Sequence, residues 1–319
     1  MGIPPQEDAY IGLATEKIFL EPMKLTLIPE LKDLYLPPEG VAHNLTLARI
    51  EKGYAGQAIK TMNAMWGAGQ MMFNKIMVVT DQDNPWNDME AFVRNLCNTI
   101  DPVHDIIFSS GPMDVLDHSS SKFAYGSKMG IDATTKYPEE IGVKPLKVRF
   151  PMSQDFENLM LEIPVIKSIQ TTLIDKGISI LILGLEKDQS FQPASFTELL
   201  MKEKAVEGVK FILLVDAALP IQNLDSVVWY VTGNIDPRRD CKIYEAMHAN
   251  EVSHVVVDGT RKTVQADGFQ REWPNPVVSS LETIHRIDKR WDELGLGEFI
   301  PSPSLLYCQL KRGDGAVSE

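Results

Sequence analysis

Residues 74–81 read NKIMVVTD, and residues 209–216 read VKFILLVD. Each is a short apolar run closed by an aspartate, the pattern of a strand buried on both faces. The likeness extends in both directions. LARIEKGYAGQ (47–57) matches ILGLEKDQSFQ (182–192), and NTIDPVHD (98–105) matches GNIDPRRD (233–240). Glu51 and Glu186, Asp81 and Asp216, and Asp101 and Asp236 are all 135 positions apart, as are Pro29 and Pro164. Further on the register slips. IDATTK (131–136) matches VDGTRK (257–262) at an offset of 126, so the second copy is nine residues shorter in one loop. A tandem duplication of one unit explains this most simply.

The alternating runs Glu30–Leu36 and His43–Ile50 predict strands in the first copy. Ala55, Ala58, Ile59, Met62 and Met65 recur at helical spacing, and helices are also predicted over about 9–22 and 86–99. DIIF (105–108) predicts another strand. The fold class is therefore α/β: two tandem related α/β units with mixed or largely parallel sheets, followed by a C-terminal helix. The expected divisions are 1–145, 146–268 and 269–319. The terminal helix, starting near Pro276, carries Leu281, Ile284, Ile287, Trp291 and Leu294 on one stripe. That stripe must bury itself on its own domain or on a neighbouring subunit.

The chain has 319 residues, 44% of them hydrophobic, and a net charge of -13. The charge argues against nucleic acid or an anionic membrane surface as partner. No apolar run approaches the length of a membrane span, and a basic n-region followed by an apolar stretch is missing from the start. Cys97, Cys241 and Cys308 lack metal or redox spacing and read as free thiols of a cytoplasmic protein.

The candidate chemistry is sparse. Asp81 and Asp83 follow a buried strand, where they could hold Mg²⁺ or simply close a polar loop. HSSS (118–121) offers a histidine beside serines without a strand–turn–helix elbow. GAGQ (67–70) lacks the full dinucleotide fingerprint and reads as a helix terminus. GSKMGIDATTKYPEE (126–140) could cradle an anion with backbone N–H groups, or could be a loop entering a short strand and locked by side-chain hydrogen bonds. Glu7 and Asp8 suit the start of a helix. These residues alone give no catalytic set and no metal ligand set.

Several stretches together resemble the UbiD family of decarboxylases, named for 3-octaprenyl-4-hydroxybenzoate carboxy-lyase. They are PPQEDAYIGLATEKIFLEPMK (4–24), LPPEG (36–40), GSKMGIDAT (126–134) and the ending REWP…DELG (271–295). The likeness covers about 1–141 and 270–295. The second copy keeps Glu186, Asp216 and Ile235-Asp236-Pro237 but has lost LPPEG and GSKMG. The first copy is thus expected to be the functional version and the second a structural insertion.

The resemblance implies more. Family members carry further domains ahead of the PP-x-E-D segment, and those domains bind prenylated FMN through a phosphate-bound Mn²⁺ and supply the Glu–Arg–Glu catalytic set. The chain is then expected to be the C-terminal part of such a decarboxylase, acting on an aromatic or unsaturated acid of the quinone-precursor type, as in ubiquinone biosynthesis. It would close the pocket, hold no cofactor by itself and be inactive alone. Its partners would be the N-terminal flavin-binding domains of the same protein and, through the C-terminal helix, other copies. By position, Tyr10, Ile11, Tyr35, Pro37 and Pro38 are the expected substrate-binding residues, and Lys32 the residue for the flavin phosphate. The alternatives are an assembly or regulatory protein reusing the domain without catalysis, and an unrelated Mg²⁺ enzyme built on Asp81 and Asp83.

Overall fold

A computed structural model describes the chain except residues 1, 4–6, 84, 142–148, 189–190 and 248–250, and the side chains of residues 7 and 8. In the first unit, helix α1 (Glu7–Thr26) leads into strands β1 (Leu31–Tyr35) and β2 (Leu45–Ile50). Helix α2 (Gln57–Trp66), strand β3 (Ile76–Thr80) and helix α3 (Met89–Thr99) follow, then β4 (Ile106–Pro112) and β5 (Tyr125–Asp132). The sheet order is β1-β2-β3-β5-β4. The three central strands run parallel and the outer two antiparallel.

The second unit repeats this with β6 (Ile166–Gln170), β7 (Ile180–Leu185), α4 (Pro193–Leu200), β8 (Phe211–Asp216), α5 (Leu224–Asn234), β9 (Cys241–Tyr244) and β10 (His254–Asp258). Its order, β6-β7-β8-β10-β9, is the same, with the same directions. Even the edge irregularity recurs, between Leu31 and Asp33 in β1 and between Ile166 and Ser168 in β6. Two tandem α/β units with mixed sheets are therefore observed as expected.

The continuous apolar runs are explained by burial on both faces. Ile76 and Val78 of β3 face a core that joins both sheets through α3 and α5, and this core includes Phe92, Leu96, Phe211, Val215 and Trp229. Met77 and Val79 face the opposite side, against Met23 of α1 and Ala58 and Met62 of α2. On the far side of the second sheet, Ile212, Leu214 and Val256 pack on Phe196 and Leu200 of α4. Asp88 and Asn223, again 135 apart, cap α3 and α5 by accepting the N–H of Ala91 and Ser226.

Each unit also sends a lysine to the other, Lys75 fully buried and Lys210 half-buried. The Lys75 Nζ donates to Thr232 O at 3.0 Å, at the carboxyl end of α5. Its counterpart Lys210 donates to Ile100 O at 2.6 Å, just past the end of α3. Both cations thus sit where free helix carbonyls concentrate negative potential. A second duplicated device locks each sheet. Lys136 pairs with Asp105 (2.9 Å) and Asp132 (3.1 Å), and Lys262 with Asp240 (3.6 Å) and Asp258 (3.3 Å).

The long terminal helix is not observed. Helix α6 spans Leu281–Asp288 and is capped by Ser280 rather than starting near Pro276; the chain turns at Lys289–Arg290 before a single turn, Trp291–Leu294. The cause is local. The Trp291 indole donates to Gly297 O and Glu298 O and packs edge-on against Phe299, folding the tail back. Of the predicted stripe, Ile284 is buried, while Leu281 and Leu294 are exposed. Among the described residues, no helix is long and apolar enough to cross a membrane.

Candidate functional site

Helix α1 and LPPEG (36–40) meet along one edge of the first unit. Gly12 lies so close to this segment that a Cβ there would sit 3.4 Å from Ala42 Cα and 3.7 Å from Leu36 Cβ. One turn on, buried Glu16 accepts the Leu36 N–H at 2.6 Å. Burial pushes its carboxyl above the usual range, against the pull of that N–H.

Beyond Leu36 the chain makes one tight turn, Pro38–Gly40. Gly40 is required there, because a side chain would press within 2.9 Å of Leu45 Cβ and 3.1 Å of its backbone. Val41 (φ 44°) and Ala42 (φ 62°) then adopt the left-handed conformation, which costs about 1–3 kcal/mol each in a non-glycine residue. The edge is thus held in a strained shape by its surroundings.

Tyr35 stacks on Trp86 with ring centroids 5.7 Å apart, and the Trp86 indole donates to Asp33 at 2.8 Å. On its other side the turn Pro38–Gly40 packs against α5 of the second unit, which carries Asp225 in its first turn. Burial, then the carboxylates of Glu39, Glu16 and Asp225, raise the Tyr35 phenol above its usual range. Burial likewise raises Glu39. The result is an edge that brings together an aromatic ring pair, two prolines and a carboxyl raised by burial.

The structure brings Tyr35, Pro37 and Pro38 together here and places Tyr10 and Ile11, exposed at 64% and 48%, at the rim beside Gly12. Lys32 stands apart. It is the extra residue at the β1 irregularity and forms an ion pair with Glu51. Asp33, Trp86, Glu39 and Asp225 were missed. Asp225 carries no local signal, because the opposite unit delivers it.

The other candidates have structural roles. Asp81 accepts the Thr135 N–H at 2.9 Å, while Asp83 is almost fully exposed and pairs with Arg49 at 3.4 Å. The second copy repeats the first of these contacts, with Asp216 accepting the Arg261 N–H. Among the described residues, no cluster of three or more His, Cys, Asp or Glu is placed to hold a metal. GAGQ does follow a helix end, with Gly67 capping α2.

In HSSS, the imidazole and the hydroxyls point to different partners. His118 Nε2 faces Asn234 Oδ1 at 3.1 Å, whereas Ser119 donates to Asp117 and Ile235 O. Asp117 forms a 2.6 Å ion pair with Lys75, which holds its carboxyl well below the usual range despite burial. GSKMGID is not an anion cradle. It is the central strand β5, its backbone spent on the ladders to β3 and β4, and Lys128 turns inward to Met72 O and Asn74 O.

The fold is therefore that of a duplicated α/β protein. A protein-family model described as the 3-octaprenyl-4-hydroxybenzoate carboxy-lyase C-terminal domain matches residues 9–133 and 150–264. The chain belongs to this family, the UbiD decarboxylases. It is 31% identical over 307 residues to an uncharacterized protein of Helicobacter pylori (strain J99), covering 91% of this chain and 44% of that protein. It is also 45% identical over 141 residues to an uncharacterized protein of Archaeoglobus fulgidus, covering 44% of this chain and 29% of that one. The chain spans less than half the length of these curated relatives. A solved structure of the UbiD-class enzyme HmfF from Pelotomaculum thermopropionicum in complex with FMN is 26% identical, with a TM-score of 0.35, over 42% of this chain and 31% of that one.

Proposed function

We propose that this chain is the C-terminal part of a prenylated-FMN-dependent, non-oxidative decarboxylase of an aromatic or unsaturated acid, that it closes the pocket, and that it is inactive alone. The observation carrying this is the outer face of α1. Tyr10, Ile11, Ala14, Ile18 and Leu25 lie on one side of the helix and are exposed, next to the strained LPPEG edge. A helix stripe of this kind left uncovered marks an interaction surface. Its occupant here is the flavin-binding region of the longer cytoplasmic protein, consistent with relatives more than twice the matched length.

The metal of that cofactor does not fit the described residues. The Mn²⁺-bound phosphate needs converging carboxylates or imidazoles, and the described residues offer no such cluster. Lys32 would first have to leave Glu51. The share of this chain is the pocket wall: Tyr10, Ile11, Tyr35, Pro37 and Pro38, with Glu39 able to hold a proton.

The test is decarboxylation of a hydroxybenzoate with prenylated FMN supplied. The purified chain is expected to release no CO₂ and to bind no flavin. Adding the flavin-binding region restores turnover, and Ile18→Asp on the exposed stripe lowers it at least tenfold. Turnover by the chain alone, or indifference to Ile18→Asp, overturns the proposal. Exposed Leu281 and Leu294 are the proposed contact with a second copy. Leu281→Asp is expected to reduce the size in gel filtration without unfolding the chain, and an unchanged size removes that contact.

A further inference from the structure

The second unit contains a cavity of about 180 Å³ between α4 and the outer face of its sheet. Phe191, Phe196, Leu214 and Val256 form its apolar wall, and Arg239, Asp240, Lys242, Asp258 and Lys262 its polar wall. The Phe191 and Phe196 rings lie 5.6 Å apart at 44°.

The same place in the first unit is packed solid. There Met62, Ile107 and Trp66 crowd over Gly130 so tightly that a Cβ on that glycine would collide with Met62 Sδ and lie 3.0 Å from Ile107. By the repeat register, Thr197 stands for Met62, Lys242 for Ile107 and Val256 for Gly130. Thr197 is too short to fill the gap, and its hydroxyl is tied to Pro193 O at 2.7 Å. Lys242 is exposed rather than packed inward. The cavity thus arises from two side-chain exchanges on a conserved frame.

Its charges are nearly balanced. Arg239 makes a two-pronged bond to Asp240 at 2.8 and 2.7 Å, and Lys262 sits between Asp240 and Asp258. Lys187, beside the cavity, neutralises Asp267 at 3.4 Å. Among the described residues Lys242 has no acidic partner, so it leaves one unmatched positive charge at the mouth. An apolar cavity of about 150 Å³ suffices for benzene, and two phenylalanine rings offer edge and face contacts to another ring.

We infer that the second unit binds a small organic monocarboxylate, its ring-sized apolar body held against Phe191 and Phe196 and its carboxylate against Lys242. The second copy is then more than a structural insertion. The site shares no lining residue with the LPPEG edge, and the inference holds whether or not the chain serves a flavin enzyme.

The test is calorimetry and ligand-observed NMR on the intact chain with benzoate, using benzyl alcohol and inorganic phosphate for comparison. Benzoate is expected to bind once per chain, with benzyl alcohol at least tenfold weaker and phosphate undetected. Lys242→Gln, which removes the charge and keeps a long, exposed polar side chain, is expected to weaken benzoate at least tenfold with an unchanged melting temperature. Thr197→Met is expected to abolish binding by filling the cavity. Should Thr197→Met fail to fold, Lys242→Gln alone decides. Undetected benzoate binding, or benzoate affinity unchanged in Lys242→Gln, overturns the inference.

Discussion

The two units have one strand order but use the equivalent lysine differently. Lys75 meets an acid, Asp117, supplied by the connection between β4 and β5. Lys210 has a backbone carbonyl instead, and burial lowers its pKa. The register slip explains the contrast, because the second unit's shorter connection lacks the Asp117–Ser120 stretch. A duplicated frame tolerates loss of a loop when a neighbouring helix end can take over the cation. The first unit spent its longer loop on a polar cluster that ties it to α5; the second, freed of that loop and of Met62, has a cavity.

Four tests can break this comparison. The largest effect is expected for Lys75→Met, which strands a buried carboxylate and should cost about 3–5 kcal/mol. Lys210→Met strands only a carbonyl and should cost about 1–3 kcal/mol. Urea unfolding of both variants measures the difference, and equal losses would mean that Asp117 adds nothing. Next comes Gly130→Val, the second unit's residue placed in the first. It overpacks Met62 and should cost about 1–3 kcal/mol. Pairing it with Met62→Thr should recover part of that loss, since the two sites share one space.

A pH effect of about 3 kcal/mol is expected from His118, which burial pushes down to about 4. The unfolded imidazole titrates near 6.5, so between these values the unfolded chain binds a proton that the folded chain refuses. Stability therefore falls as pH drops from about 6.5 towards 4. His118→Gln should flatten that slope in a pH series of unfolding midpoints, and an unaltered slope would assign the proton elsewhere. The smallest effect concerns the caps. Asn223→Ala and Asp88→Ala should each cost about 1 kcal/mol, nearly equally, if the two helices are equivalent as the register implies.

Much of the fold could be read from residue order. Strands buried on both faces announce themselves as NKIMVVTD and VKFILLVD, because a parallel strand covered by helices has no polar side to show. The fixed offset of 135 exposed the duplication, since hydrophobic period and cap positions survive divergence when a core must be filled. The candidate site was legible only in part. Tyr35, Pro37 and Pro38 lie in one local segment, and α1 reaches them through Gly12 and Glu16.

For GSKMG the sequence allows an anion cradle or a loop entering a short strand; the structure has the strand, whose glycines let Met62 and Ser120 press on it, while Asp132 locks Thr134 and Lys136 just after it. The terminal helix was overextended because periodicity does not register a tryptophan folding back on its own tail. Sequence alone thus determined the class, the repeat and the strand sequence, which depend on local pattern and spacing. Tertiary structure alone decided that Asp225 faces Tyr35 from the opposite unit, that Asp117 neutralises Lys75, and that Thr197 and Lys242 open a cavity. Those outcomes depend on which side chains meet across the core, and pairwise contacts between distant residues leave no trace in either stretch by itself.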